Sequence, residues 1–188
     1  MHAKKRGRHP KAPREGAGSK RGRKDHVRSQ PRRDTDREVA EEQELSSVAQ
    51  LIAALRAEGI RFQVVGMSAA ILQGVPGTTQ DLDLWIDLPA RQYIRVLNIA
   101  RRLNAQINAN TVVTLPGDVL VNFLYEVHGL RSFAAEFKKA KALQLSGIKL
   151  PVLPLARVIR SKEFVGRDKD LLQLPALKRT LALQKKNF

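Results

Sequence analysis

The chain has 188 residues, no cysteine and a formal net charge of +16. That length suits one domain of ordinary size, or a smaller domain with a tail. The lack of cysteine excludes disulfides and thiolate metal sites, and it suits a reducing compartment.

The charge is not spread evenly. Residues 1–33 hold 13 Lys/Arg against two acids, Glu15 and Asp25, a net +11, and the rest of the chain carries the other +5. This segment has almost no apolar side chains to offset its ordering entropy, so a disordered basic arm is expected. Such an arm either holds RNA through its phosphates, with strong salt dependence, or serves as a solubilising tail. It has no Phe, Tyr or Trp to stack on unpaired bases. No apolar segment of seven or more follows the basic start, and no run approaches the roughly 18 apolar residues of a membrane span. The expectation is a cytoplasmic protein with no membrane segment.

From Asp34 the composition changes. Leu45, Val48, Leu51, Ile52 and Leu55 recur at three- and four-residue spacing, and Gly59 follows, which reads as a helix and its stop. IRFQVVG is a short apolar strand ending at Gly66, and MSAAILQG is one or two helical turns closed by Gly74. VPGTTQ is a loop, and DLDLWIDL is a strand that alternates Asp81, Asp83, Trp85 and Asp87 with Leu82, Leu84 and Ile86. Pro89 opens a helix with Ile94, Leu97 and Leu103 on one side. A hairpin over 111–126 turns at Pro116, Gly117 and Asp118. A helix over 132–141, a small hairpin turning at Ser146 and Gly147, and two C-terminal helices complete an α+β domain with a mixed β-sheet flanked by helices.

An acidic strand face needs no function, because antiparallel strands often have one wet side. Its setting offers another use. A glycine at the end of the preceding strand lets a phosphate chain approach the backbone, and the first amides of the next helix, including that of Ser68, can bind it. Asp81 and Asp83 lie about 6.6 Å apart on one strand face and can share a hard cation such as Mg²⁺ or Mn²⁺.

This order of strand, glycine, short helix and Asp-x-Asp strand resembles the DNA polymerase β-like nucleotidyltransferase superfamily. It also resembles the small bacterial nucleotidyltransferase-like proteins related to the toxin component of AbiE abortive-infection systems. GVPGTTQDLDL, VNFLYEVHG and LPLARVIRSKEFVGRDKDLLQLPAL resemble their metal strand, third-carboxylate strand and C-terminal helices. The resemblance implies a nucleotidyltransferase fold and transfer of a nucleoside monophosphate from an NTP to an RNA (tRNA) or protein hydroxyl, with an antitoxin as a further partner. It implies that Asp81 and Asp83 hold the metal, that Gly66, Met67 and Ser68 line the phosphate cradle, and that Thr79 buttresses the metal strand. Lys162 would face the triphosphate, with Asp170 positioning it or the acceptor.

The departures are Met67 for a small residue, Gly77 for an arginine, and Asn122 where the family has its third acid. Asparagine offers a metal an oxygen but takes no proton. On the Asn122 face, Asp118 and Glu126 each lie about 13 Å away along a strand. His128, with no second His or Cys spaced for zinc, reads as structural. A catalytically degenerate nucleotide- or RNA-binding module and a non-enzymatic partner protein are therefore the alternatives.

Overall fold

The computed structural model describes residues 32–186. The expectation for the basic arm, including its disorder and RNA contact, falls on residues almost all of which lie outside those described. The first helix, α1 (Arg32–Ala57), begins two residues before Asp34. Val48, Leu51, Ile52 and Leu55 of α1 are buried, whereas residues 35–44 are exposed. Its end follows from Gly59, at φ +67, where Ile60 N donates back to Leu55 O.

The other elements are β1 (Phe62–Val64), α2 (Gly66–Ile71), β2 (Asp81–Ile86), α3 (Ile94–Arg102), β3 (Gln106–Ala109), β4 (Val112–Leu115) and β5 (Val119–Leu124). They are followed by α4 (Phe133–Phe137), β6 (Lys141–Leu145), β7 (Ile148–Val152), α5 (Leu155–Val165) and α6 (Asp168–Lys186). The strands form one sheet in the order β3-β4-β5-β2-β1-β7-β6. β2 is central, antiparallel to β1 and parallel to β5, so the sheet is mixed as expected. Leu84, Ile86, Val121 and Phe123 point into the main core. The intervening residues of β2 and β5 therefore share the other face.

Three expectations change. β3 is an added edge strand. α4 covers only Phe133–Phe137, and Lys141 already belongs to β6. Ile94 is 51% exposed, because α3 buries Val96, Leu97, Ile99 and Ala100 instead. Trp85, on the acidic face of β2, does not line the cleft. It is buried edge-on against Phe133, with centroids 5.5 Å apart, and its Nε1 donates to Tyr125 O at 2.8 Å. No helix among the described residues is long and apolar enough to cross a membrane.

Candidate active site

The pairing of β2 with β5 builds the site. Asp81 lies opposite Leu120 and Asp83 opposite Asn122, so Asp81, Asp83 and Asn122 project from one face. Asn122 Nδ2 donates to Asp81 Oδ2 at 2.8 Å and to Asp83 Oδ1 at 3.0 Å. Thr79 Oγ1 donates to the remaining Asp81 oxygen, Oδ1, at 2.6 Å. Thr79 therefore touches one of the two carboxylates directly.

Gly66 is required by this packing. Its φ is +62, and a β-carbon there would run into Asp83 Oδ2 and come within 2.9 Å of Asp83 Cγ. Only glycine lets the end of β1 lie against the second carboxylate. Burial pushes the Asp83 carboxyl above its usual range, and nearby Asp81 adds to that push. The hydrogen bond from Asn122 and the charges of Lys162 and Lys169 oppose it without cancelling it.

Two carboxylates and an amide give a hard oxygen set that fits Mg²⁺ or Mn²⁺ once Asn122 turns its Oδ1 inward. A half-buried carboxylate raised by burial and then by its acidic neighbour is a local excess of negative charge that a cation would relieve. Among the described residues no group of three His, Cys, Asp or Glu side chains converges on a metal position. Asn122 is the third oxygen-bearing side chain beside the two carboxylates.

These residues line a cleft of about 500 Å³, together with Gly66, Met67 and Thr79. α5 and α6 contribute Lys162 and Asp170 to its lining. Lys162 Nζ donates to Asp170 Oδ1 at 2.8 Å and to Gln173 Oε1 at 2.7 Å, and Arg167 Nε donates to Asp170 Oδ2 at 2.7 Å. Asp170 is fully buried. Burial alone would raise its carboxyl, but the bonds from Arg167 and Lys162 hold it below the usual range. Asp170 thus holds Lys162 in place, and both its oxygens are taken.

Ser68 departs from expectation. Its hydroxyl donates to Asp81 O at 2.7 Å, the residue is buried, and it does not line the cleft. The side chain braces β2, leaving only the backbone amide for a phosphate. The sequence also missed three groups. Gln173 shares Lys162 with Asp170 from the same face of α6, a three-residue spacing that was available as a signal. Glu126 and His128 also line the cleft, because β5 ends at Leu124 and the chain bends away from the straight strand that the 13 Å separation assumed. His128 is 64% exposed along its side chain, not packed as a structural histidine.

No family's sequence pattern matches the chain, and no curated protein matches it significantly. Solved structures do match. The solution structure of the antibiotic-resistance factor ANT(2'')-Ia superposes with a TM-score of 0.51 at 13% identity, over 74% of this chain and 85% of that one. The crystal structure of ANT(2'')-Ia in complex with adenylyl-2''-tobramycin gives a TM-score of 0.51 at 13% identity, over 73% of this chain and 89% of that one. At such identity the likeness speaks to architecture, and with the mixed seven-stranded sheet it establishes that this chain has a nucleotidyltransferase fold.

Proposed function

We propose that the protein binds an NTP with Mg²⁺ or Mn²⁺ and transfers its nucleoside monophosphate to a hydroxyl acceptor, releasing pyrophosphate. The observation that carries this reading is the β2–β5 register, which gathers Asp81, Asp83 and Asn122 on the lining of a cleft that also holds Lys162. A bound divalent cation would neutralise the triphosphate and favour in-line displacement at the α-phosphorus. Asp81 and Asp83 would hold it, with Asn122 and Thr79 fixing their orientation. Gly66 and the first amides of α2, including that of Ser68, would receive the phosphates, while Met67 closes that side of the cleft. Lys162, steadied by Asp170 and Gln173, would meet the negative charge that builds on the leaving pyrophosphate.

Asn122 favours a second reading, in which the fold binds nucleotide without transferring it. Asparagine supplies no charge to the metal and accepts no proton. The likeness to AbiE-type toxin components supports an RNA or protein acceptor and an antitoxin partner. The basic residues 1–33 support contact with RNA, and the lack of cysteine suits the cytoplasm.

The test incubates the protein with each α-labelled NTP and Mg²⁺ or Mn²⁺, offering a tRNA pool, the protein itself and tobramycin as acceptors. An Asp81→Ala/Asp83→Ala variant is the control. Label transferred by the parent and not by the variant supports the first reading. Metal-dependent NTP binding without transfer supports the second, and neither binding nor transfer overturns both. Deleting residues 1–33 should flatten the salt dependence of tRNA binding.

A further inference from the structure

Transfer to a hydroxyl needs a group to take its proton, and Asn122 cannot. Five acidic or imidazole side chains line the cleft: Asp81, Asp83, Glu126, His128 and Asp170. Both oxygens of Asp170 are bonded to Lys162 and Arg167. Asp81 is held by Thr79 and Asn122, and Asp83 by Asn122 with its other oxygen against Gly66. Asp170 is buried and Asp81 and Asp83 are half-buried, whereas Glu126 and His128 are exposed, with side chains 74% and 64% accessible, and His128 Nδ1 lies 3.6 Å from Glu126 Oε1.

Resting on the transfer reading above, we propose that His128, oriented by Glu126, is the general base for the acceptor hydroxyl. The two residues have the arrangement of a base and its orienting carboxylate, which is often loose before substrate binds. Nδ1 faces Glu126, so Nε2 is left for substrate. The turn that carries His128 is fixed from α5. Arg160 Nε donates to Gly129 O at 3.0 Å, and Phe164 packs against Gly129 so closely that a β-carbon there would lie 2.7 Å from its Cγ.

In the step, the acceptor oxygen bonds to the α-phosphorus as the bond from that phosphorus to the β-phosphate bridging oxygen breaks. The hydroxyl proton passes to His128 Nε2, and pyrophosphate leaves with the electron pair of the broken bond. The charged groups around the imidazole are Glu126 beside it, Arg160 behind the turn, and Asp81, Asp83, Lys162, Arg167 and Lys169 on the rest of the cleft lining.

The test compares the parent with His128→Gln and Glu126→Gln, using whichever of the tRNA pool, the protein itself or tobramycin the parent labels. Transfer rates are measured from pH 5.5 to 9, and binding of an α,β-methylene NTP with Mn²⁺ is measured alongside. His128→Gln should lower transfer about 100-fold or more at pH 7.5 and abolish the acid limb of the profile, with analogue affinity held within about twofold. Glu126→Gln should lower transfer by less than His128→Gln does, because it removes the orienting carboxylate and leaves the imidazole in place. Both side chains are exposed, so thermal unfolding should match the parent. An unchanged rate and acid limb in His128→Gln overturns the base assignment alone. Failure of the parent to label any of the three acceptors removes the transfer reading, and the base with it.

Discussion

Asn122 stands directly across from Asp83 in the parallel pairing of β5 with β2, and its side-chain amide donates to the carboxylates of both Asp83 and Asp81. An uncharged donor here holds two acids together that would otherwise repel. Asn122→Asp replaces both hydrogen bonds with a third negative charge. Without divalent cation the variant should be less stable than the parent by about 1–3 kcal/mol. With Mn²⁺ the order should reverse, because a third carboxylate strengthens a hard-cation site. Urea unfolding with and without Mn²⁺ checks this, and an equal response of the two proteins to the metal would count against a cation at this cluster.

Gly66 offers a second test of the same cluster. Alanine there faces a φ of +62 and a collision with Asp83, so the variant must strain the backbone, displace the carboxylate or both. Gly66→Ala should cost about 1–3 kcal/mol in chemical denaturation. It should also weaken Mn²⁺ binding measured by calorimetry. Gly59→Ala makes a useful comparison, since that glycine has a similar φ of +67 but nothing within 4 Å of a β-carbon. It should share the backbone cost and leave metal binding intact.

How much of this was legible in the sequence depended on how local the signal was. The alternation in DLDLWI and the glycines at 59 and 66 report their own backbone conformation, and the elements around them stand where expected. β3 did not announce itself because QINA lies at the sheet edge with three of its four residues exposed, so burial imposed no alternation. The burial of Trp85 could not be read locally because its partners, Phe133 and Tyr125, come from distant parts of the chain. The shared strand face of Asp81 and Asp83 could be read from their spacing. Glu126 and His128 could not, because a bend after Leu124 brings them to the cleft.

Asp170 sets a pH prediction. Its carboxyl is held low in the folded protein, so the stability it contributes is present above the unfolded value, near 3.9, and is lost as pH falls through the folded one. Glu136 behaves likewise. It is fully buried, receives Arg157 Nε at 2.7 Å, and is held low by that pairing against the opposing effect of burial. The parent should therefore change little through these groups between pH 7 and 5 and lose stability below about pH 4. Asp170→Asn should be weaker at pH 7 by about 2–3 kcal/mol, the loss of its charge-assisted bonds. The variant should then decline less in acid, so that the two stability curves converge. Curves that stay parallel down to pH 3 would mean that Asp170 is not the titrating anchor.

Met67 and Gly77 are both departures from the family pattern, and they meet in space. A β-carbon on Gly77 would lie 3.7 Å from Met67 Cε, and Gly77 itself has a φ of +147, which side-chain-bearing residues rarely adopt. The loop has therefore adapted to the pair of residues it has, with a long side chain from α2 beside a glycine. Placing at Gly77 the arginine of the family that the sequence resembles should not improve the cleft. Gly77→Arg should destabilise by about 1–3 kcal/mol through backbone strain, without tightening nucleotide binding. Met67→Ser removes only a half-buried side chain at the cleft wall and should leave the fold intact while widening the phosphate side of the cleft. Measured side by side, thermal unfolding should separate the two variants, and Mn²⁺-dependent binding of an α,β-methylene NTP should respond to Met67→Ser alone. A Gly77→Arg protein as stable as the parent would show that the loop is not committed to glycine.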